Sequence, residues 1–119
     1  MSIKKIGMII KRGAIYFAKL DPTQGSEINK TRPVLVVSND INNQYSKTIT
    51  IIPITSNTKT VRSFEVFIPA GEATLPKDSK VKCDQIRTID NSRILNKVGN
   101  LSSIIMADIE VALRIHLEL

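Results

Sequence analysis

Four polar residues stand where an apolar run begins or ends, and each carries a group that could act on a phosphate. Arg32 lies directly before a proline and four aliphatic residues in NKTRPVLVVSN, residues 29–39. A guanidinium offers a planar fork of donors that matches a phosphate, and the Pro33 ring stiffens the chain just after it. A charge there also suits an ordinary wet strand end. Thr55 closes TITIIPIT at the polar break TSNT, so its hydroxyl either donates to a bound oxyanion or caps the strand. In KVKCDQI, residues 80–86, Lys82 and Asp84 are two apart. On a strand that spacing puts both side chains on one face, their Cα atoms roughly 6.5 Å apart. A cation so placed keeps the carboxylate ionised and able to accept a proton. Lone K-x-D pairs are also common as surface ion pairs of little energetic consequence. Cys83, between them, points inward as a small core residue.

The whole-chain charge fits the phosphate alternative but also plain solubility, and by itself decides little. Seventeen Lys and Arg against eleven Asp and Glu leave +6 on 119 residues, an excess that favours a polyanionic partner such as nucleic acid. One cysteine and one histidine exclude an internal disulfide and are too few for the usual transition-metal cages. No cofactor and no metal are expected. The basic start, MSIKKIGMIIKRG, has too short an apolar stretch for a secretory signal, and no run reaches membrane-spanning length. The chain reads as soluble and cytoplasmic, with no membrane partner.

Short strands must hold these residues. AIYFAKL (14–20), PVLVV (33–37), TITIIPIT (48–55), EVFIP (65–69), KVKCDQIRTI (80–89) and residues 96–100 read as strands, rich in β-branched and aromatic residues. Pro33 can open a strand because it need not donate there. Ser38, Asn39 and Asp40 offer a cap for a helical turn through Tyr45. The last eighteen residues contain no Gly or Pro. Ile105, Ile109, Ala112, Leu113 and His116 fall on one helical face, with Glu110, Arg114 and Glu118 on another. Ser102 is the expected N-cap, and His116 reads as a packing residue at the core edge. The sum is one domain over residues 1–119: mainly β, a small bent barrel closed by a C-terminal helix. Arg32, Thr55, Lys82 and Asp84 all lie at strand ends or their flanks, where a small barrel can gather them on one rim.

Two blocks of sequence carry a family resemblance. GSEINKTRPVLVVSND (25–40) resembles the G-x-E…RPVL-type signature of the MazF/PemK/Kid toxins, the mRNA interferases, and VKCDQIRTID (81–90) resembles their second block at the fitting distance. The likeness runs from about Lys11 to Leu119. It implies an SH3-like β-barrel of the CcdB/Kid/MazF type, a homodimer, and metal-independent, sequence-specific cleavage of single-stranded RNA. In that reaction the 2′-hydroxyl attacks the adjacent phosphate and leaves 2′,3′-cyclic phosphate and 5′-hydroxyl ends. By position Arg32 and Thr55 match the family's catalytic arginine and threonine, and Asp84 the general base of the Kid-like branch. Lys82 falls where that branch has an arginine and Ser26 where it has a histidine, which leaves the proton donor to the 5′-oxygen open. Glu27, Ser56, Gln85 and Arg87 flank these positions and, with Ser26, are the expected RNA contacts.

The resemblance also implies a cognate acidic antitoxin, and DNA contact only through that antitoxin. The five aromatics, Tyr16, Phe17, Tyr45, Phe64 and Phe67, are too few for extended base stacking. Loops 21–31, 56–63 and 71–79 would frame the groove, and Gln85 would read a base edge. Two other functions fit the same barrel: a CcdB-like poison of DNA gyrase, and a catalytically silent nucleic-acid binder. Fold alone separates neither, but a gyrase binder has no need of the Arg32 and Thr55 phosphate cradle.

Overall fold

Alternation along the strands sorts the aliphatic residues onto two faces, and both are buried. In the computed structural model, which describes residues 8–119, β1 (Ala14–Lys19), β2 (Thr31–Val36) and β3 (Thr48–Thr55) form the middle of a seven-stranded antiparallel sheet. Ile15, Leu35, Ile52 and Ile54 face one core, which is covered by the C-terminal helix α2 (Ser103–Leu117) through Ile109 and Ala112. Ala14, Tyr16, Ala18, Val34, Val36, Ile49 and Ile51 face a second core, covered by Ile10, Leu20 and Ile28. This is why PVLVV reads as an unbroken apolar run: neither face meets water. Residues 1–7 of the basic N-terminal stretch lie outside the described residues.

The strand order is β4-β5-β3-β2-β1-β7, with β4 at Glu65–Ile68, β5 at Ser79–Lys82 and β7 at Ile94–Asn100. β6 (Arg87–Asp90) also pairs with β3. Among the described residues β4 and β7 are not paired with each other, so the expected barrel is an open one. The 3-10 turn at Glu72–Thr74 follows β4 and packs on β7 across that opening. No helix among the described residues is long and apolar enough to cross a membrane.

One expectation needs correction. KVKCDQIRTI is not a continuous strand: β5 stops at Lys82, a 3-10 turn occupies Cys83–Gln85, and β6 starts at Arg87. Along β3, Ile51 faces Arg87 whereas Ile54 faces Val81. Three steps on β3 therefore match six on its partner, and the turn absorbs the three extra residues. Buried Cys83 anchors the turn in the first core, and Asp84 follows it, half-buried, at a point where simple alternation no longer applies.

The helices follow their caps. Asn39 accepts from Asn42 N–H at 2.8 Å to start α1 (Asp40–Tyr45), and Ser102 accepts from Ile105 N–H at 3.3 Å to start α2. His116 is exposed rather than packed in the core edge, its ring centroid 6.1 Å from that of Phe64. Glu110, expected on the solvated stripe, accepts from Arg12 Nη2 at 3.2 Å. Arg12 Nη1 also donates to Val37 O, tying α2 to the sheet.

Candidate active site

Arg32 on β2 and Thr55 on β3 line the same cavity. Val34 pairs with Pro53 in the last rung of the β2–β3 ladder. Continuing that register two further steps along both strands would set Arg32 opposite Thr55. The cavity has a volume of about 530 Å³. Its floor is apolar (Phe17, Pro33, Ile54, Leu75 and Val98), and its rim carries Ser56, Lys77, Asn96 and Lys97. A cavity with an apolar floor and a few polar groups at its edge is the usual form of a ligand site.

Both side chains keep donor groups that the described residues leave unengaged. Arg32 is exposed, and its Nε donates to Asn29 O at 3.2 Å. That bond steadies the guanidinium and leaves both Nη groups unengaged by the described residues. Thr55 Oγ1 accepts from Asn57 N–H at 3.2 Å, so its own O–H remains available as a donor. A guanidinium fork beside a hydroxyl donor is suited to an oxyanion.

The row continues into a charged cluster. Thr55 faces Lys80 across β3–β5, and Lys82 faces Glu65 across β5–β4. Glu65 has a side chain only 1% exposed, yet it is a carboxylate. Lys80 Nζ lies 3.2 Å from its Oε1 and Lys82 Nζ 2.9 Å from its Oε2; the second contact is an ion pair rather than a well-aligned hydrogen bond. Arg62 N–H donates to Oε1 at 2.9 Å. Burial by itself raises the Glu65 carboxyl, but the contacts from Lys82, Arg62 N–H and Lys80 outweigh it and bring the pKa down to about 2. Lys80 also donates to Thr60 O at 2.5 Å, which anchors the loop that follows Thr55 and Ser56.

Asp84 lies beyond this cluster. Its Oδ1 is 4.0 Å from Lys82 Nζ, is buried, and receives no hydrogen bond from the described residues. The carboxylate borders a smaller cavity of about 190 Å³ with Glu27, Gln85 and Arg87. The expected site residues therefore fall into two groups: Arg32, Thr55 and Ser56 on the larger cavity, and Asp84, Glu27, Gln85 and Arg87 on the smaller. Lys82 is the side chain between Thr55's row and Asp84.

Three expected RNA contacts have partners inside the protein, and the first is Glu27, whose Oε1 accepts from Gln24 N–H at 2.7 Å. Gln85 Oε1 accepts from Ile28 N–H at 2.8 Å and its Nε2 donates to Ser26 O at 3.4 Å. Both ends of the amide thus hold loop 21–30 in place, which is a different task from reading a base. Arg87 Nη1 donates to Leu20 O at 3.2 Å. Ser26 is exposed in the same loop. That loop borders the smaller cavity, while residues 74–77 wall the larger one.

The sequence reading missed two contributions. Asn96 and Lys97 come from β7, whose neighbour β1 is far from it in sequence. Glu65 and Lys80 looked like ordinary strand residues, although a Glu opening EVFI and a Lys two before Lys82 were visible signs of charge on one face. Cys83, read as a core residue, is one: burial, aided by the Asp84 and Glu65 carboxylates, pushes its thiol up to about 12.

Comparison with known proteins adds the relatives. A family model described as PemK-like, MazF-like toxin of type II toxin–antitoxin systems matches residues 11–117. The chain is 39% identical over 116 residues to endoribonuclease MazF9 of Mycobacterium tuberculosis, covering 93% of this chain and 98% of that one. It is 41% identical over 113 residues to endoribonuclease EndoA of Bacillus subtilis, covering 94% and 97%. The crystal structure of MazF from Deinococcus radiodurans superposes with a TM-score of 0.82 at 26% identity, covering 94% of this chain and 99% of that one.

Proposed function

The chain belongs to the PemK-like, MazF-like toxins of type II toxin–antitoxin systems, and on that premise we propose that it is an endoribonuclease cutting single-stranded RNA at short sequences, with Arg32 and Thr55 at the scissile phosphate. The observation that carries this reading is that both line one cavity and that each keeps a donor unengaged by the described residues. A CcdB-like gyrase poison is not favoured, given endoribonucleases among the close relatives.

The chemistry follows from what each group can do. Asp84 takes the proton of the 2′-hydroxyl, a role that requires bound substrate to bring the smaller cavity and the Arg32–Thr55 cavity onto one phosphate. The 2′-oxygen forms a bond to phosphorus. Negative charge then builds on the non-bridging oxygens, where Arg32 donates from its fork and Thr55 from its hydroxyl. Fixed donors of this kind act mainly on the transition state. The bond from phosphorus to the 5′-oxygen breaks, and that oxygen takes a proton from Lys82 or from solvent. The products are a 2′,3′-cyclic phosphate and a free 5′-hydroxyl. The nucleophile belongs to the substrate itself, so the reaction has no need of a metal-activated water. Arg32 stabilises charge and does not shuttle protons, because a guanidinium does not deprotonate near neutral pH.

The partners follow the same reading. The chain acts as one toxin domain in the cytoplasm, with a cognate antitoxin. An acidic, partly disordered inhibitor suits a net charge of +6. Ile104, Val111 and Ile115 form an exposed apolar stripe along α2, which supports a homodimer, and light scattering showing only monomer at micromolar concentration would count against it. Incubating the purified protein with mixed-sequence RNA in EDTA tests the function. Discrete cuts are expected; intact RNA, or cutting that appears only on adding magnesium, would refute it.

A further inference from the structure

Glu65 takes no part in the reaction as written, yet it is a buried carboxylate held by two lysines. Lys80 alone would balance its charge. Lys82 is nevertheless drawn to it at 2.9 Å, and so stands 4.0 Å from Asp84 Oδ1 rather than in hydrogen-bond contact. Asp84 Oδ1 and Glu65 Oε2 are both buried without a hydrogen-bond donor, but the Lys82 ammonium stands at close ion-pair distance from Glu65 Oε2 and farther from Asp84 Oδ1. Buried acceptors are rarely left so, and the exceptions gather at functional sites.

We propose that Glu65 is a positioning residue of this active site, which holds the Lys82 ammonium back from Asp84 and thereby keeps the Asp84 carboxylate free to accept the 2′-hydroxyl proton. This rests on Asp84 being the base. Two carboxylates compete for one ammonium, and the backbone decides the winner: Glu65 faces Lys82 across β4–β5, whereas Asp84 sits on the turn beyond. Were Lys82 to close on Asp84, the carboxylate would become a weaker base and a less effective proton acceptor.

The surroundings restrict what else could set this balance. Glu27 and Arg87 border the Asp84 cavity. On the other side, Asp108 of α2 shares a shallow pocket with Glu65. The buried Cys83 thiol stays protonated across the working range. Of the two cations, Lys80 is fixed by Thr60 O as well as Glu65, so Lys82 is the one that can change partner.

The test is the pH dependence of single-turnover RNA cleavage by wild type, Asp84→Asn and Glu65→Gln, with folding checked by circular dichroism. Glu65→Gln releases Lys82 to Asp84, so the midpoint of the acid limb should move down by about one pH unit and the plateau rate fall about tenfold. Should that variant fail to fold, Glu65→Gln with Lys80→Met replaces both members of the buried pair by neutral residues of similar size, the substitution that buried pairs tolerate best. It should give the same shift. An acid limb at the wild-type position in either folded variant, with Asp84→Asn inactive, would overturn the role of Glu65 alone. A wild-type limb in Asp84→Asn would instead remove Asp84 from the reaction, and Glu65's role with it.

Discussion

Arg32 and Thr55 line one cavity, and the β2–β3 register, continued two steps beyond its last rung, would set them opposite each other. Neighbours directly across an antiparallel pair have Cβ atoms roughly 5 Å apart, close enough for both to reach one phosphate. Arg32→Ala should slow cleavage by roughly 10²- to 10³-fold, the usual loss on removing a fixed donor to a developing oxyanion. Arg32→Lys should also be poor, because a point charge does not reproduce the fork. Thr55→Ala should be clearly impaired and Thr55→Ser should keep much of the activity. Initial rates on a defined RNA oligonucleotide check all four.

Asp84→Asn keeps the shape of the side chain and removes its basicity. It should reduce the cleavage rate more than RNA affinity, measured separately by stopped assays and by filter binding. Lys82→Ala distinguishes the two sources of the leaving-group proton. A loss as large as that of Asp84→Asn identifies Lys82 as the donor, and a small one assigns the proton to solvent.

Gly99 allows the cavity wall to approach β7. A Cβ at this position would meet Ala73 O at 2.4 Å and Ala73 C at 2.8 Å, both backbone atoms that cannot swing aside. The facing segment is already constrained, with Ala73 and Thr74 at positive φ and Thr74 Oγ1 donating to Val98 O at 2.6 Å. Gly99→Ala should therefore displace residues 73–77 and destabilise the protein by about 1–3 kcal/mol. It should also raise KM more than it lowers kcat, since it distorts the wall and leaves Arg32 and Thr55 in place. Denaturant melts and steady-state kinetics test the two parts.

Glu65 makes stability depend on acid. Its pKa is lowered from 4.5 to about 2 on folding, so the ionised form favours the folded state. That contribution is complete above pH 4.5 and is lost as the pH falls through about 2. Denaturant unfolding between pH 5 and 2 should show a decline on the order of 2 kcal/mol from this group. In Glu65→Gln the decline over the same window should be shallower.

The elements were legible where local patterning and burial agree. β3 runs over residues 48–55 as read from TITIIPIT, and Ser102 caps the last helix. Arg32, Thr55, Lys82 and Asp84 were identifiable by type and position. Their arrangement was not, for two reasons. The turn at Cys83–Gln85 looks like strand in sequence, because its insertion is visible only against the register of β3. The lysine–glutamate cluster depends on β4 and β5 lying side by side, a pairing that no single segment encodes. His116 was misjudged for a simpler reason: near the C-terminus of α2 the sheet no longer covers that face.

The most direct measurement is the chemistry of the cut ends. A chimeric RNA oligonucleotide containing a cleavage site is treated with wild-type protein in EDTA and the fragments are weighed by mass spectrometry. Fragments should end in 2′,3′-cyclic phosphate and begin with 5′-hydroxyl, and the same oligonucleotide with a 2′-deoxy sugar at the cut position should bind and remain whole. Folded Arg32→Ala protein should leave both oligonucleotides uncut on that time scale. Cleavage of the 2′-deoxy oligonucleotide, or wild-type cutting by Arg32→Ala, would contradict the account.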